Sequence, residues 1–191
     1  MESLMIIILA VIPVALLLFY IYKKDFKKES KGLLIKLFLA GIASCIVTFI
    51  ITGVEEELFP FFGSDTTYMG IGELFIYFML GVAIIEEFSK LLMTYLVGYN
   101  NKEYDEVFDG IVYAVFVSLG FACFENVLYL LAANSGNLDI NPYTLGVMRG
   151  FTAVPSHAAE RAAWWTVSVC STRVRSDTVG GVGAQEHVPA M

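Results

Sequence analysis

The sequence predicts an all-α, polytopic transmembrane helix bundle, on three observations. Of 191 residues, 57% are hydrophobic and only 16% charged, with a mean hydropathy of +0.69, against about 45–50% apolar and about 25% charged in soluble domains. The excess is gathered into runs of about 20 residues, enough to cross a hydrocarbon core of roughly 30 Å at 1.5 Å per helical residue. Only helices or closed barrels satisfy their backbone polar groups in lipid, and runs of this length read as helical spans. A water-soluble enzyme is excluded. The net charge of −7, with one short basic stretch, argues against nucleic acid as a partner.

The first span is expected at about 4–22. It lacks a basic leader and a small-residue cleavage pattern and is followed by lysines, so it reads as retained rather than as a signal peptide. Lys23, Lys24, Lys27, Lys28, Lys31 and Lys36 crowd the next connection, whereas residues 1–22 and 55–73 hold no Lys or Arg. By the positive-inside bias the lysine loop is cytoplasmic and the N-terminus extracytoplasmic. A second span, about 33–54, ends in the acidic stretch Glu55 to Gly72, whose Pro and Gly mark turns. A third, about 74–98, returns to a polar connection at 99–107. A fourth, about 108–133, goes back out, and a fifth segment starts near 143. The scattered cysteines Cys45, Cys123 and Cys170 suggest neither a disulfide framework nor a metal motif.

Residues 1–159 are therefore expected to form one transmembrane domain. Near Ala159 the composition changes. Every lysine lies before residue 103 and every arginine at or after 149, Phe, Ile and Tyr cease, and both tryptophans fall at 164 and 165. Residues 160–191 read as an atypical tail, expected to be disordered and suggestive of a shifted reading frame.

Ionisable groups inside spans are costly and mark function or buried pairs. Glu86, Glu87 and Lys90 lie near the middle of the third span, where i,i+3 and i,i+4 spacing puts Lys90 on the face of both carboxylates. Two adjacent carboxylates in low dielectric are not expected both to stay charged, which leaves one to hold a proton and one to take one. The fourth span carries Asp109 at its cytoplasmic end and Glu125-Asn126 towards its outer end, with Glu125 on a stripe shared by Phe121, Ser118 and Ala114. The fifth carries Arg149 and, behind Pro155, His157. Counted from the outer ends, Glu86, Glu125 and His157 lie roughly 18, 12 and 21 Å deep. Two carboxylates and an imidazole at similar depth suit general-base activation of water for attack on an amide, with Asn126 polarising the carbonyl. The same donors could ligate a divalent metal such as zinc, and no HExxH helix chooses between these readings. Blander readings stand beside them. The Glu86/Glu87/Lys90 set could be a buried ion pair fixing register, Asp109 a helix N-terminal acid, Arg149 an interfacial snorkel and His157 a core histidine.

Taken together, Glu86-Glu87-Phe88-Ser89-Lys90, Phe108-Asp109 to Tyr113, and Gly120-Phe121-Ala122-Cys123-Phe124-Glu125-Asn126, with Arg149 and His157-Ala158 following, resemble the PrsW family of bacterial intramembrane proteases, relatives of the CAAX prenyl-protease and bacteriocin-processing superfamily. The likeness covers about 74–158. It implies a multi-pass protein of the bacterial cell membrane and a glutamate-dependent or metallo-type protease. Its substrates would be membrane-anchored proteins such as anti-sigma factors, and its active centre Glu86, Glu87, Glu125 and His157, supported by Lys90, Asp109, Asn126 and Arg149. The family continues through a helix with a HGxxD-type motif that this chain lacks, so the chain reads as truncated and the resemblance leaves open whether it is active. Two other classes compete: a proton- or ion-coupled transporter using the carboxylates as a relay, and a non-catalytic interaction protein in which they only join helices.

Overall fold

The protein is described by a computed structural model covering residues 2–24, 28–99, 101, 104 and 107–164. Helices α1 (Glu2–Lys24) and α2 (Lys31–Leu58) are followed by a short 3-10 turn, Thr66–Tyr68. Next comes a helical rod over 71–99, built from α3 (Ile71–Ile76), a π-helical segment Tyr77–Ala83, α4 (Ile84–Thr94) and a second π segment Tyr95–Tyr99. The long α5 (Val107–Asn134), α6 (Pro142–Phe151) and a last helix over 153–164, α7, complete the bundle. No strand occurs among the described residues.

Three helices, Leu4–Lys24, Lys31–Leu58 and Phe108–Asn134, are long and apolar enough to cross a membrane. The rod is continuous over the third expected span, but its two wide turns break α-helical periodicity on either side of α4. Each π segment holds a glycine pressed by a ring: a Cβ on Gly81 would lie 2.7 Å from Phe62, and one on Gly98 2.7 Å from Tyr113. Large side chains therefore fill the space beside the bulges, and such bulges gather at functional sites.

Helix ends follow local chemistry. Ser30 caps α2, its hydroxyl accepting from the Leu33 amide, and Asn141 caps α6, accepting from Tyr143 and Thr144 ahead of Pro142 at the first helical position. The acidic residues Glu55 to Glu57, expected in a loop, form the last turns of α2, where Glu56 and Glu57 are exposed and Glu55 turns toward Gly81 of the rod. The fifth segment breaks at Thr152. Pro155 has no amide to give the Phe151 carbonyl, yet it is tolerated in the first turn of α7.

At the centre stands α5. It is apolar on all sides, the mark of an enclosed helix, and 72% of its span window is buried against 17% for α1. Val112, Tyr113, Phe116 and Val117 pack on Leu33, Leu34, Leu37 and Ala40 of α2, while Val115, Leu119 and Cys123 pack on Val14 of α1 and on Val154 and Ala158 of α7. The α2/α5 crossing depends on paired glycines. A Cβ on Gly41 would overlap the Val117 carbonyl, and one on Gly120 the Phe38 carbonyl. Around this core the outer surface is strongly apolar, with Ile35, Leu39, Ile46 and Ile50 more than half exposed along α2, as lipid contact requires.

Residues 160–164, expected to open the atypical tail, continue α7, and Arg161 is only 4% exposed. An arginine one turn beyond His157 faces the same neighbour as the imidazole, which composition could not reveal. The expected disorder of 165–191, and Cys170, lie outside the described residues.

Because the Gly120 contact is backbone on backbone, Gly120→Ala is expected to force α2 and α5 apart. The loss should be at least about 1–3 kcal/mol, the usual cost of overpacking, read as a fall in the thermal unfolding midpoint in detergent, whereas Gly53→Ala, with open space around it, should not lower it.

Candidate active site

The site is built around a lysine with no access to solvent. On α4, Ile85, Ser89, Lys90 and Thr94 face inward, and Ser89 and Thr94 return their hydroxyls to the carbonyls of Ile85 and Lys90. The Lys90 ammonium lies 3.2 Å from Glu86 Oε2, 2.9 Å from Glu87 Oε1 and 3.1 Å from His157 Nδ1. It also sits 4.3 Å above the Phe121 ring, a cation–π contact strengthened by the loss of water. All three of its donors are used.

This contact assigns the histidine tautomer. A charged lysine can only donate, so His157 Nδ1 is the acceptor and the ring proton lies on Nε2, 3.1 Å from Glu125 Oε2. Phe121 lies against the ring, with centroids 5.6 Å apart. Ser118 Oγ donates to the His157 carbonyl at 2.7 Å, tying α5 to α7. The stripe Ser118–Phe121–Glu125 is thus the surface on which the histidine helix sits.

Glu125 is held from a second side. Arg149 donates through Nη2 to Glu125 Oε2 at 2.6 Å and through Nε to Asn126 Oδ1 at 2.7 Å, with its guanidinium carbon 4.1 Å from the Tyr129 ring centre. It turns inward rather than snorkelling outward. On α7, Arg161 donates to the Glu87 carbonyl, and its Nε faces Glu87 Oε2 at 3.4 Å. Those two atoms are buried without a hydrogen bond, so they are held by charge alone. Each carboxylate is matched by a cation: Lys90 for Glu86, Lys90 and Arg161 for Glu87, Arg149 for Glu125.

The neighbouring glutamates face different surroundings. Glu86 and Glu125 line a cavity of about 350 Å³ between α2, the rod and α5, together with Cys45, Thr48, Thr52 and Leu128. Glu87 and Asn126 do not line it. Glu87 turns toward Arg161, and Asn126, 1% exposed, supports Arg149. The structure therefore brings Glu86, Glu87, Lys90, Glu125, Asn126, Arg149 and His157 together and leaves Asp109 apart. Asp109 is buried in the first turn of α5, sixteen residues and about 24 Å along the helix from Glu125. Near it, burial and the Asp109 carboxylate raise the Tyr104 phenol above its usual range. Sequence reasoning missed Tyr129 and Arg161. Tyr129 stands one turn beyond Glu125 on the recognised stripe, and Arg161 one turn beyond His157 in residues set aside for their composition.

A metal does not fit the described residues. Among them no group of three or more His, Cys, Asp or Glu could hold an ion, and both nitrogens of the central imidazole are engaged, one by an ammonium that occupies the cation position. What they can do is proton transfer and charge stabilisation by carboxylates and imidazole.

A family model described as "PrsW family intramembrane metalloprotease" matches residues 29–182. Proteins named "Protease PrsW" are similar to this chain. That of Geobacillus kaustophilus is 34% identical over 145 residues, 76% of this chain and 56% of its own length. That of Oceanobacillus iheyensis is 35% identical over 147 residues, 76% and 60%, and that of Bacillus subtilis 31% over 166 residues, 82% and 72%. The chain thus spans between half and two thirds of the first two. No solved structure matches.

Replacing Arg149 with Met should strand Glu125 and Asn126 in low dielectric and cost about 3–5 kcal/mol, as breaking a buried pair does. Chemical denaturation in mixed micelles would measure it. In unaltered protein, ¹⁵N shifts of the imidazole should report a neutral His157 protonated on Nε2.

Proposed function

The chain belongs to the PrsW family of intramembrane proteases, and from that premise we propose that it is the catalytic core of a glutamate-dependent endopeptidase acting on membrane-anchored proteins, regulatory ones such as anti-sigma factors included. The observation that carries this reading is that Glu86 and Glu125, from separate helices, open on one cavity while cations behind them balance their charge.

Glu86 is the base. It receives one 3.2 Å contact, from an ammonium shared with two other acceptors, whereas one oxygen of Glu125 takes both the Arg149 guanidinium and the His157 N–H. Glu86 thus keeps more lone pairs for a water in the cavity. It takes a proton as the water oxygen bonds to the substrate carbonyl carbon. The C–N bond then breaks, and the same proton passes to the leaving nitrogen, giving a carboxylic acid and an amine. Glu125, oriented by Arg149 and His157, holds the second hydrogen of the water. Lys90, with Arg149 behind Glu125, supplies positive potential where the tetrahedral oxygen develops charge, and Asn126 holds Arg149 in place. Glu87 is a positioning residue that anchors Lys90 and α7.

The apolar helices and the lysine-rich connection support a multi-pass protein of the bacterial cell membrane with its N-terminus extracytoplasmic. Domain extent is proposed as residues 1–159 with the α7 continuation to at least 164.

In proteoliposomes holding a tagged single-pass substrate, Glu86→Gln should lower the cleavage rate at least about 100-fold, the lower range for loss of a general base. Glu87→Gln should instead chiefly lower the unfolding midpoint. Cleavage by Glu86→Gln at the normal rate would overturn the assignment, and ion flux without proteolysis would move the carboxylates to a transport role.

A further inference from the structure

The shape of the cavity beside Glu86 and Glu125 limits what can enter it. Its α2 wall runs Cys45, Thr48, Thr52 and its α5 wall Phe121, Glu125, Leu128, Tyr129, Ala132, in successive turns on either side of the carboxylates. Cys45 and Phe121 close the deep end, 1% exposed each. The other end is partly open, where half-buried Thr52 and Ala132 face each other near Leu138 in the connection after α5.

From Cys45 to Thr52 is about 10 Å at 1.5 Å per residue. Over that length a volume of about 350 Å³ has room for one large side chain. Beyond Glu86, Glu125 and Tyr129 the lining is mostly apolar, with Phe49, Val82, Leu128 and Leu138, and Thr48 and Thr52 spend their hydroxyl protons on the carbonyls of Ser44 and Thr48. A side chain with several donors of its own would lose water there with few partners to replace it.

Building on the protease reading, we infer that this cavity is the specificity subsite of the enzyme. It takes a large apolar side chain from the substrate segment next to the scissile bond, and Ala132 and Thr52, at its open end, set the size it accepts. The substrate class is therefore a membrane-anchored chain that presents a side chain such as Leu, Met or Phe beside the cleaved amide. Ala132 is the main determinant, since its methyl is the smallest side chain in the outer half of the wall.

The test measures occupancy rather than cleavage, so it can fail independently of the catalytic assignment. The full chain carrying Glu86→Gln, in phosphatidylcholine vesicles, is irradiated with acetylated Ala/Ser hexapeptide amides bearing one photo-leucine, and adducts are mapped by mass spectrometry. Adducts are expected on Thr48, Thr52, Leu128 or Ala132. Hexapeptides with Leu or Phe at that position should compete at least tenfold better than those with Gln, and Ala132→Leu should shift preference from Leu to Ala by a similar factor. Thr52→Leu provides a second narrowing variant should Ala132→Leu fail to fold. Adducts confined to lipid-facing residues, absence of adducts, or the same side-chain ranking in the narrowed variants would each overturn the inference.

Discussion

A buried ammonium organises this protein. Lys90 has no exposure, and a lysine charge withdrawn from water in a membrane-embedded bundle needs every donor satisfied and opposite charge beside it. Two of its acceptors come from its own helix, but the third comes from α7 and the ring beneath it from α5. Satisfying one cation therefore sets the mutual register of three helices. Glu86 and Glu125 face a common cavity as a consequence of that register.

The scaffold makes such close convergence possible. Charged side chains from α4, α5 and α7 meet within about 3 Å around the central α5, which is itself seated closely on α2 because Gly41 and Gly120 remove any side chain from that crossing. On the other side Gly146 and Gly150 admit Leu9 and Pro13 of α1 against α6, which positions Arg149 between them to reach α5. Small residues thus determine where the large charged ones go, as expected when van der Waals contact rather than water exclusion drives helix association in lipid.

Charge matching across the site gives its carboxylates distinct surroundings. Arg161 draws Glu87 away from the cavity and Arg149 secures Glu125, leaving Glu86 with the lightest restraint. Adjacent residues on one helix turn therefore differ in chemistry because neighbouring helices offer them different partners.

Much of this was legible in the chain itself. Runs of apolar residues determined that the fold is a helix bundle, since lipid leaves the backbone no other hydrogen-bonding solution, and costly charges at Glu86, Glu125 and His157 marked the site by being where lipid should exclude them. Helical spacing alone placed Lys90 over both glutamates. The π turns flanking α4, the inward turn of Arg149, the different surroundings of Glu86 and Glu87, and the pairing of Arg161 with Glu87 were decided only by tertiary structure. Each depends on which side chain of a distant helix lies within a few ångströms, and neither periodicity nor composition along one helix contains the crossing angles and registers that bring two helices together.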